Sequence, residues 1–350
     1  MDRRTLLAGG IALASAGSAR GALPDVKRAA IDAIDLPPLF NGVLAHARGG
    51  RVRYARTAGW ADREAKLPVT PANQFKWGSA SKWVTSIAAL RLVEQGRLSL
   101  SAPITTYLPA FRADTGARLT LAQLLSNTSG IPDLLTRQLP AEPALRTSLA
   151  SPAEMTARFG GGNLDFEPGN GWDYAALNWV IVAALLERVT GEPLPVVAKR
   201  LVFDPAGART AAFVQADQPK PPHFAAAYDS AIPPARKMAP VPPFLAASGN
   251  IAGSVYDAAR IAHAVFHGRL LKGTGRRDLT TLRWPPQEYA LGGRVHSIDG
   301  EAWAWETGKV QGYRALIAHR LARSETIVIF NTTDMEQSVI AGWGETIARA

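Results

Sequence analysis

The chain has 350 residues, 47% hydrophobic and 19% charged, a globular composition long enough for one large domain or two intertwined ones. It contains no cysteine, which excludes disulfides, thiol catalysis and a lipid-modified cysteine anchor. The formal net charge is +10, yet the arginines are scattered and no nucleic-acid motif occurs. The one tight basic cluster, Lys272 to Arg277, falls in a Gly-containing stretch expected to be a loop, so the charge describes a basic, solvated surface.

The first residues combine Arg3-Arg4, an Ala/Gly/Leu run through Ala16 and a small-residue stretch around Gly17-Ser18-Ala19. Charged start, apolar middle and small end describe an export signal, and the paired arginines fit the twin-arginine type. Residues 1–22 are expected to be removed, with cleavage between Ala16 and Ala22. That loss takes three Arg and one Asp and leaves a net charge of +8. No other stretch is long and apolar enough for a transmembrane helix. A periplasmic or secreted location follows as an expectation.

Asn41–Arg48 and Arg51–Trp60 alternate like strands around Gly49-Gly50, a hairpin pattern. Next comes Ser79-Ala-Ser-Lys82, followed by Trp83, Ile87, Leu90 and Val93 at helical spacing and by Gly96 as a stop. Residues three apart on a helix share a face, so Ser79 and Lys82 can touch. A serine hydroxyl needs a base to become a nucleophile, and a lysine can be that base where burial keeps it neutral. The bland alternative is an N-terminal Ser with a surface Lys one turn further on.

Leu119 to Asp133 reads as a helix ending in a turn, accounted for by ordinary capping. Glu167 to Tyr174 is a turn that sets Tyr174 at a helix start, where amide dipoles favour a phenolate; a packed aromatic is the plain alternative. Trp179–Val189 is a helix ended by Thr190-Gly191, Pro219–Pro243 is irregular, and Asp257–His267 is helical. His263 and His267 stand four apart, but no Glu adjoins His263 and two His rarely complete a metal site, so no metal is expected. Ala302–Trp305, Tyr313–His319 and Thr326–Phe330 read as strands, with a Gly-bearing turn before Tyr313 and a helix at the C-terminus. Strands at both ends with helices between them predict one antiparallel sheet built from both termini.

Five segments in order resemble the serine β-lactamase-related hydrolases: Ser79-x-x-Lys82, Leu124-Leu-Ser-Asn-Thr-Ser-Gly130, Pro168-Gly169 with Tyr174, Ala247-Ser-Gly-Asn-Ile-Ala-Gly-Ser254, and Glu306-Thr307-Gly308. The resemblance runs from about residue 35 to the C-terminus and is nearest to the class C β-lactamase, D-aminopeptidase, DD-carboxypeptidase and esterase branch. It implies an α/β (α+β) β-lactamase/transpeptidase-like fold, with a sheet part at about 35–78 and 250–350 and an inserted helical part at about 79–249. It also implies Ser79 as nucleophile, Lys82 as its base partner, Tyr174 as a further acid/base, and the backbone N–H groups of Ser79 and Lys309 as the oxyanion hole.

Two positions depart from the family's pattern. Tyr174-Ala175-Ala176 stands where Tyr-x-Asn is usual, and Glu306 stands where Lys or His usually precedes Thr307-Gly308. Glu306, Thr307, Gly308 and Ala176 are therefore the expected substrate-facing positions. A carboxylate at 306 would repel a substrate carboxylate, with Lys309 offsetting part of the charge. The expected function is a cofactor-independent serine hydrolase acting through an acyl-enzyme on a small-molecule or peptide-like ester or amide, and not an efficient β-lactamase. Two alternatives stay open: an impaired relative that binds peptidoglycan or a protein, and an acyltransferase.

Overall fold

The computed structural model describes residues 25–214, 223–238 and 240–350, so the expected export signal lies outside the described residues. A six-stranded antiparallel sheet runs in the order Arg294–Ile298, Glu301–Val310, Tyr313–Arg320, Glu325–Asn331, Gly42–Arg48, Arg51–Ala58. Its N-terminal hairpin thus joins the C-terminal meander through the pairing of Gly42–Arg48 with Glu325–Asn331. Gly49 and Gly50, both at positive φ, close that hairpin. The sequence-read strand at 302–305 is longer in the structure, and the Arg294–Ile298 edge strand carries too little alternation to be read from sequence.

Period-two alternation sends side chains of each inner strand to two different cores. Leu44, Ile327, Ile329, Trp303, Trp305 and Leu316 face one side, which the terminal helices Val26–Asp32 and Gln337–Arg349 cover with Ile31, Ile340 and Ile347. Val43, Ala45, Val328, Phe330, Ala304 and Ile317 face the other, against the helical part. The sheet is therefore sandwiched, which is why these strands read as nearly continuous apolar runs.

The helix Ser81–Glu94 is buried from Ser81 to Leu90 without a break. The sequence suggested a stripe; the structure surrounds the helix with protein for more than two turns after Lys82, as a central helix requires. The helix Ala176–Thr190 is likewise buried from Leu177 to Leu186 and ends at Gly191 with φ 72°. Val255–Phe266 begins with a capping box between Ser254 and Asp257. The Lys272–Arg277 cluster, expected in a loop, instead opens the helix Gly273–Thr280. Among the described residues of the proline-rich segment, Ala227–Tyr228 and Arg236–Lys237 pair as short strands.

A second, three-stranded sheet escaped the sequence because its strands have two or three residues: Phe75–Lys76 and Ala212–Phe213 flank Ile251–Gly253. It is small but consequential, since it ties the residues just before Ser79 to the Ala247–Ser254 segment. The Trp77 backbone N–H donates to Ile251 O at 2.9 Å and the Trp77 indole to Gly253 O at 3.1 Å. Among the described residues no helix is long and apolar enough to cross a membrane.

Candidate active site

Ser79 sits in a 3-10 turn, Gly78–Ala80, that leads directly into the helix Ser81–Glu94. The turn is pressed against the strand Glu301–Val310. A Cβ on Gly308 would lie 1.8 Å from Trp77 O and 3.2 Å from Ser79 N. Gly78, at φ 52°, approaches from the other side: a Cβ there would lie 2.8 Å from Lys309 N. Two glycines facing each other allow backbone to meet backbone, so the turn that carries Ser79 lies directly against the strand at Gly308 and Lys309. Ser79 itself is half-buried.

Lys82 is 4% exposed, and its Nζ lies 3.1 Å from Ser79 Oγ. The Nζ also donates to Ser248 O at 3.0 Å. Its remaining surroundings are aromatic: the Tyr174 ring centroid is 4.7 Å away and the Trp179 centroid 5.5 Å. No carboxylate pairs with Lys82 among the described residues, so its contacts are a hydroxyl, a neutral carbonyl and two ring faces.

Tyr174 is 38% exposed and packs edge-on against Tyr289 and at an angle on Trp172. Tyr289 is fully buried, and burial holds its hydroxyl protonated far above the ordinary tyrosine range. Tyr174 precedes the helix Ala176–Thr190, and the half-buried Ala176 is that helix's first residue. Where an Asn is usual, Ala176 contributes only its backbone N–H, which donates to Asp133 Oδ2 at 2.8 Å. Asp133 thereby links two helix starts, since its Oδ1 also accepts from Thr136 N at 3.1 Å.

The Leu119–Asp133 segment, set aside from sequence as capping chemistry, does contain a capping box at Thr120 and Gln123. It also delivers Asn127, which is 1% exposed and held at φ 59°. Asn127 Oδ1 accepts from Trp179 Nε1 and from Asn178 Nδ2, both at 3.3 Å. An amide thus stands behind the aromatic wall of Lys82, though it comes from another segment than the usual motif. The left-handed backbone that Asn tolerates was the available sequence signal.

Glu306 and Gly308 share a strand face, and Thr307 and Lys309 share the opposite one. The expected compensation of Glu306 by Lys309 therefore fails: Lys309 is exposed on the far face. The partner is Arg294 of the edge strand, whose Nη1 lies 3.3 Å from Glu306 Oε2 and whose guanidinium lies over Tyr289. Glu306 is 1% exposed. Burial raises its carboxyl to about 7, against the opposing pull of Arg294 and Lys82. A carboxylate partly offset by Lys309, expected from sequence, is thus replaced by a buried carboxyl beside the Arg294 guanidinium.

The two histidines at helical spacing are engaged elsewhere. His263 Nδ1 meets Ser324 Oγ at 2.6 Å and the His267 ring is 5.1 Å from that of His319. Among the described residues no group of three or more His, Asp or Glu is placed to hold a metal ion. Two large cavities, of about 970 and 800 Å³, lie away from Ser79, one between the terminal helices and the sheet and one beside the Gly49–Arg51 turn.

Comparisons with known proteins agree with this architecture. The family model Beta-lactamase matches residues 40–346. Esterase EstB of Burkholderia gladioli is 35% identical over 206 residues, covering 56% of this chain and 52% of the esterase. The putative penicillin-binding protein PbpX of Bacillus subtilis (strain 168) is 30% identical over 234 residues, 66% of this chain and 56% of that protein. The chain thus spans about half the length of these curated relatives. Among solved structures, the penicillin binding protein from Bacillus halodurans superposes with a TM-score of 0.77 at 21% identity, covering 88% of this chain and 96% of that one. The D-amino acid amidase from Ochrobactrum anthropi SV3 gives 0.72 at 17% identity, over 88% and 93%. At such identities the structures share the fold. With a family model spanning nearly all of the described chain, the sheet built from both termini and the Ser79–Lys82 turn at its edge, the protein belongs to the beta-lactamase family.

Proposed function

We propose that the protein is a serine hydrolase that acts through an acyl-enzyme on a small or peptide-like ester or amide. The observation that carries this is the 3.1 Å contact between Lys82 Nζ and Ser79 Oγ inside a pocket without a carboxylate partner for the lysine. An amine in direct contact with a serine hydroxyl is placed to act as the base that makes it a nucleophile.

Lys82, with Tyr174 against it, takes the Ser79 proton as Oγ bonds to the substrate carbonyl carbon. The resulting oxyanion sits at the amides of Ser79 and Lys309, which the Gly78–Gly308 approach holds together without reorganisation. Collapse breaks the bond to the leaving alcohol or amine, which receives the proton through Tyr174. Water then attacks the acyl carbon with the same pair as base, the ester bond to Oγ breaks, and Ser79 regains its proton. Glu306 and Gly308 form the wall facing Ser79, with Thr307 carried between them and Ala176 at the mouth beside Tyr174. The likeness to an esterase over 206 residues favours ester substrates.

The test is labelling with a fluorophosphonate, read by intact mass, together with hydrolysis of a p-nitrophenyl ester. The wild type should gain one adduct and turn over the ester, and Ser79→Ala should do neither. Undiminished turnover in Ser79→Ala refutes the assignment. We also propose export, resting on Arg3-Arg4 and the apolar run after it. Cell fractionation of the full chain and of Arg3→Lys/Arg4→Lys tests it, and a cytoplasmic wild type refutes it.

A further inference from the structure

Arginines that are scattered in sequence converge in the fold on one cavity remote from Ser79. The cavity, of about 800 Å³, is lined by Arg51, Arg91, Arg209, Arg260 and Arg269, by His263, and by no acidic residue. None of the five arginines forms an ion pair among the described residues, although twelve others do. Acids adjacent in sequence are committed elsewhere. Asp204 pairs with Lys199, Asp257 accepts from Ser254 and Thr210, and Glu94 accepts from Lys272 N.

Two of the guanidiniums are fixed by neutral acceptors rather than carboxylates. Arg91 Nη1 donates to Leu270 O at 2.8 Å and Arg260 Nη1 to Gly207 O at 3.2 Å. A carbonyl orients a guanidinium and leaves its full charge for something else. The floor is smoothed by Gly49, Gly50 and Gly207, where a side chain is absent and φ is positive. Burial and the neighbouring His267 keep His263 below the ordinary histidine range, so it offers a ring nitrogen and no added charge. Five like charges around one concavity repel each other, and an anion with several oxygens relieves that repulsion while matching the planar forks.

We propose that this cavity is a binding site for a phosphate group, carried by a soluble phosphate compound or by an anionic lipid headgroup. It is separate from the candidate active site: Arg91 lies on the same helix as Lys82 but nine residues further, about 13 Å along its axis.

The full chain is titrated with inorganic pyrophosphate by calorimetry and 31P NMR, and is co-sedimented with vesicles of phosphatidylglycerol or of phosphatidylcholine. Two variants are compared, Arg91→Gln/Arg260→Gln and Arg209→Gln/Arg269→Gln. The second changes exposed side chains that make no side-chain hydrogen bond among the described residues, so it leaves the fold intact even where the first does not. One saturable pyrophosphate site, weakened at least about tenfold in the second variant, supports the proposal and a soluble source. Binding confined to phosphatidylglycerol vesicles and lost in that variant supports it with a lipid source. Absence of saturable binding to both probes, or binding that the second variant leaves unchanged, overturns it.

Discussion

Glu306→Gln isolates the most unusual ionisable group of the candidate site. Burial lifts the Glu306 carboxyl from its ordinary 4.5 to about 7. The folded protein therefore holds this proton across an interval in which the unfolded chain has released it. Stability is linked to proton uptake, so the group's contribution is complete below pH 4.5 and is lost as the pH rises to about 7. At about 1.4 kcal/mol per pH unit, that interval corresponds to a loss of about 3 kcal/mol for the wild type. Glutamine has nearly the shape of the protonated acid, can still accept from Arg294, and does not titrate. Its stability relative to wild type should accordingly climb by about 2–3 kcal/mol between pH 5 and pH 8. Urea unfolding of both proteins at the two pH values measures this directly, because other titrating groups cancel in the difference. A difference that stays constant within about 0.5 kcal/mol would show that the carboxyl is ionised throughout, and that Arg294 dominates over burial.

Gly308→Ala should be among the most damaging small substitutions, since its Cβ would fall 1.8 Å from Trp77 O. Separation of the strand from the Ser79 turn should cost about 1–3 kcal/mol and remove ester hydrolysis, checked by melting and by kcat/KM. Lys82→Met keeps most of the buried stem and removes the amine, so fluorophosphonate labelling of Ser79 should fall by at least about a hundredfold, with labelling at the wild-type rate refuting the base role. Asp133→Ala frees the starts of two helices and should lower stability by about 1–2 kcal/mol, with a fall in kcat from the loosened Tyr174 segment. Leu44→Ala, under the terminal helices and far from Ser79, should cost about 2–5 kcal/mol in urea unfolding while leaving KM unchanged.

Local patterns carried much of the site. Ser79 and Lys82 are three apart along the turn and helix, so local geometry already allows their contact. The N-terminal hairpin was legible from its alternation around Gly49-Gly50, and the helix ends because Gly96 and Gly191 supply the left-handed stop. The two-residue strands were not legible, since pairing of Phe75–Lys76 with Ala252–Gly253 rests on residues far apart in the chain. The role of Asn127 was not legible for the same reason: its partners, Asn178 and Trp179, are some fifty residues away.

The sequence by itself determined the order of the motifs, the sheet closed by both termini and the hydroxyl–amine pair, all of which depend on spacing along the chain. It could state that Glu306 is acidic but not what balances it. Only the tertiary structure decided that Arg294, twelve residues earlier and on the neighbouring strand, meets Glu306 while Lys309, three residues later, points away. Only the tertiary structure, likewise, turned scattered arginines into a cavity of one charge sign. The physical reason is common to both: charge acts through space, over a few ångströms and through the local dielectric, and sequence separation does not measure that distance.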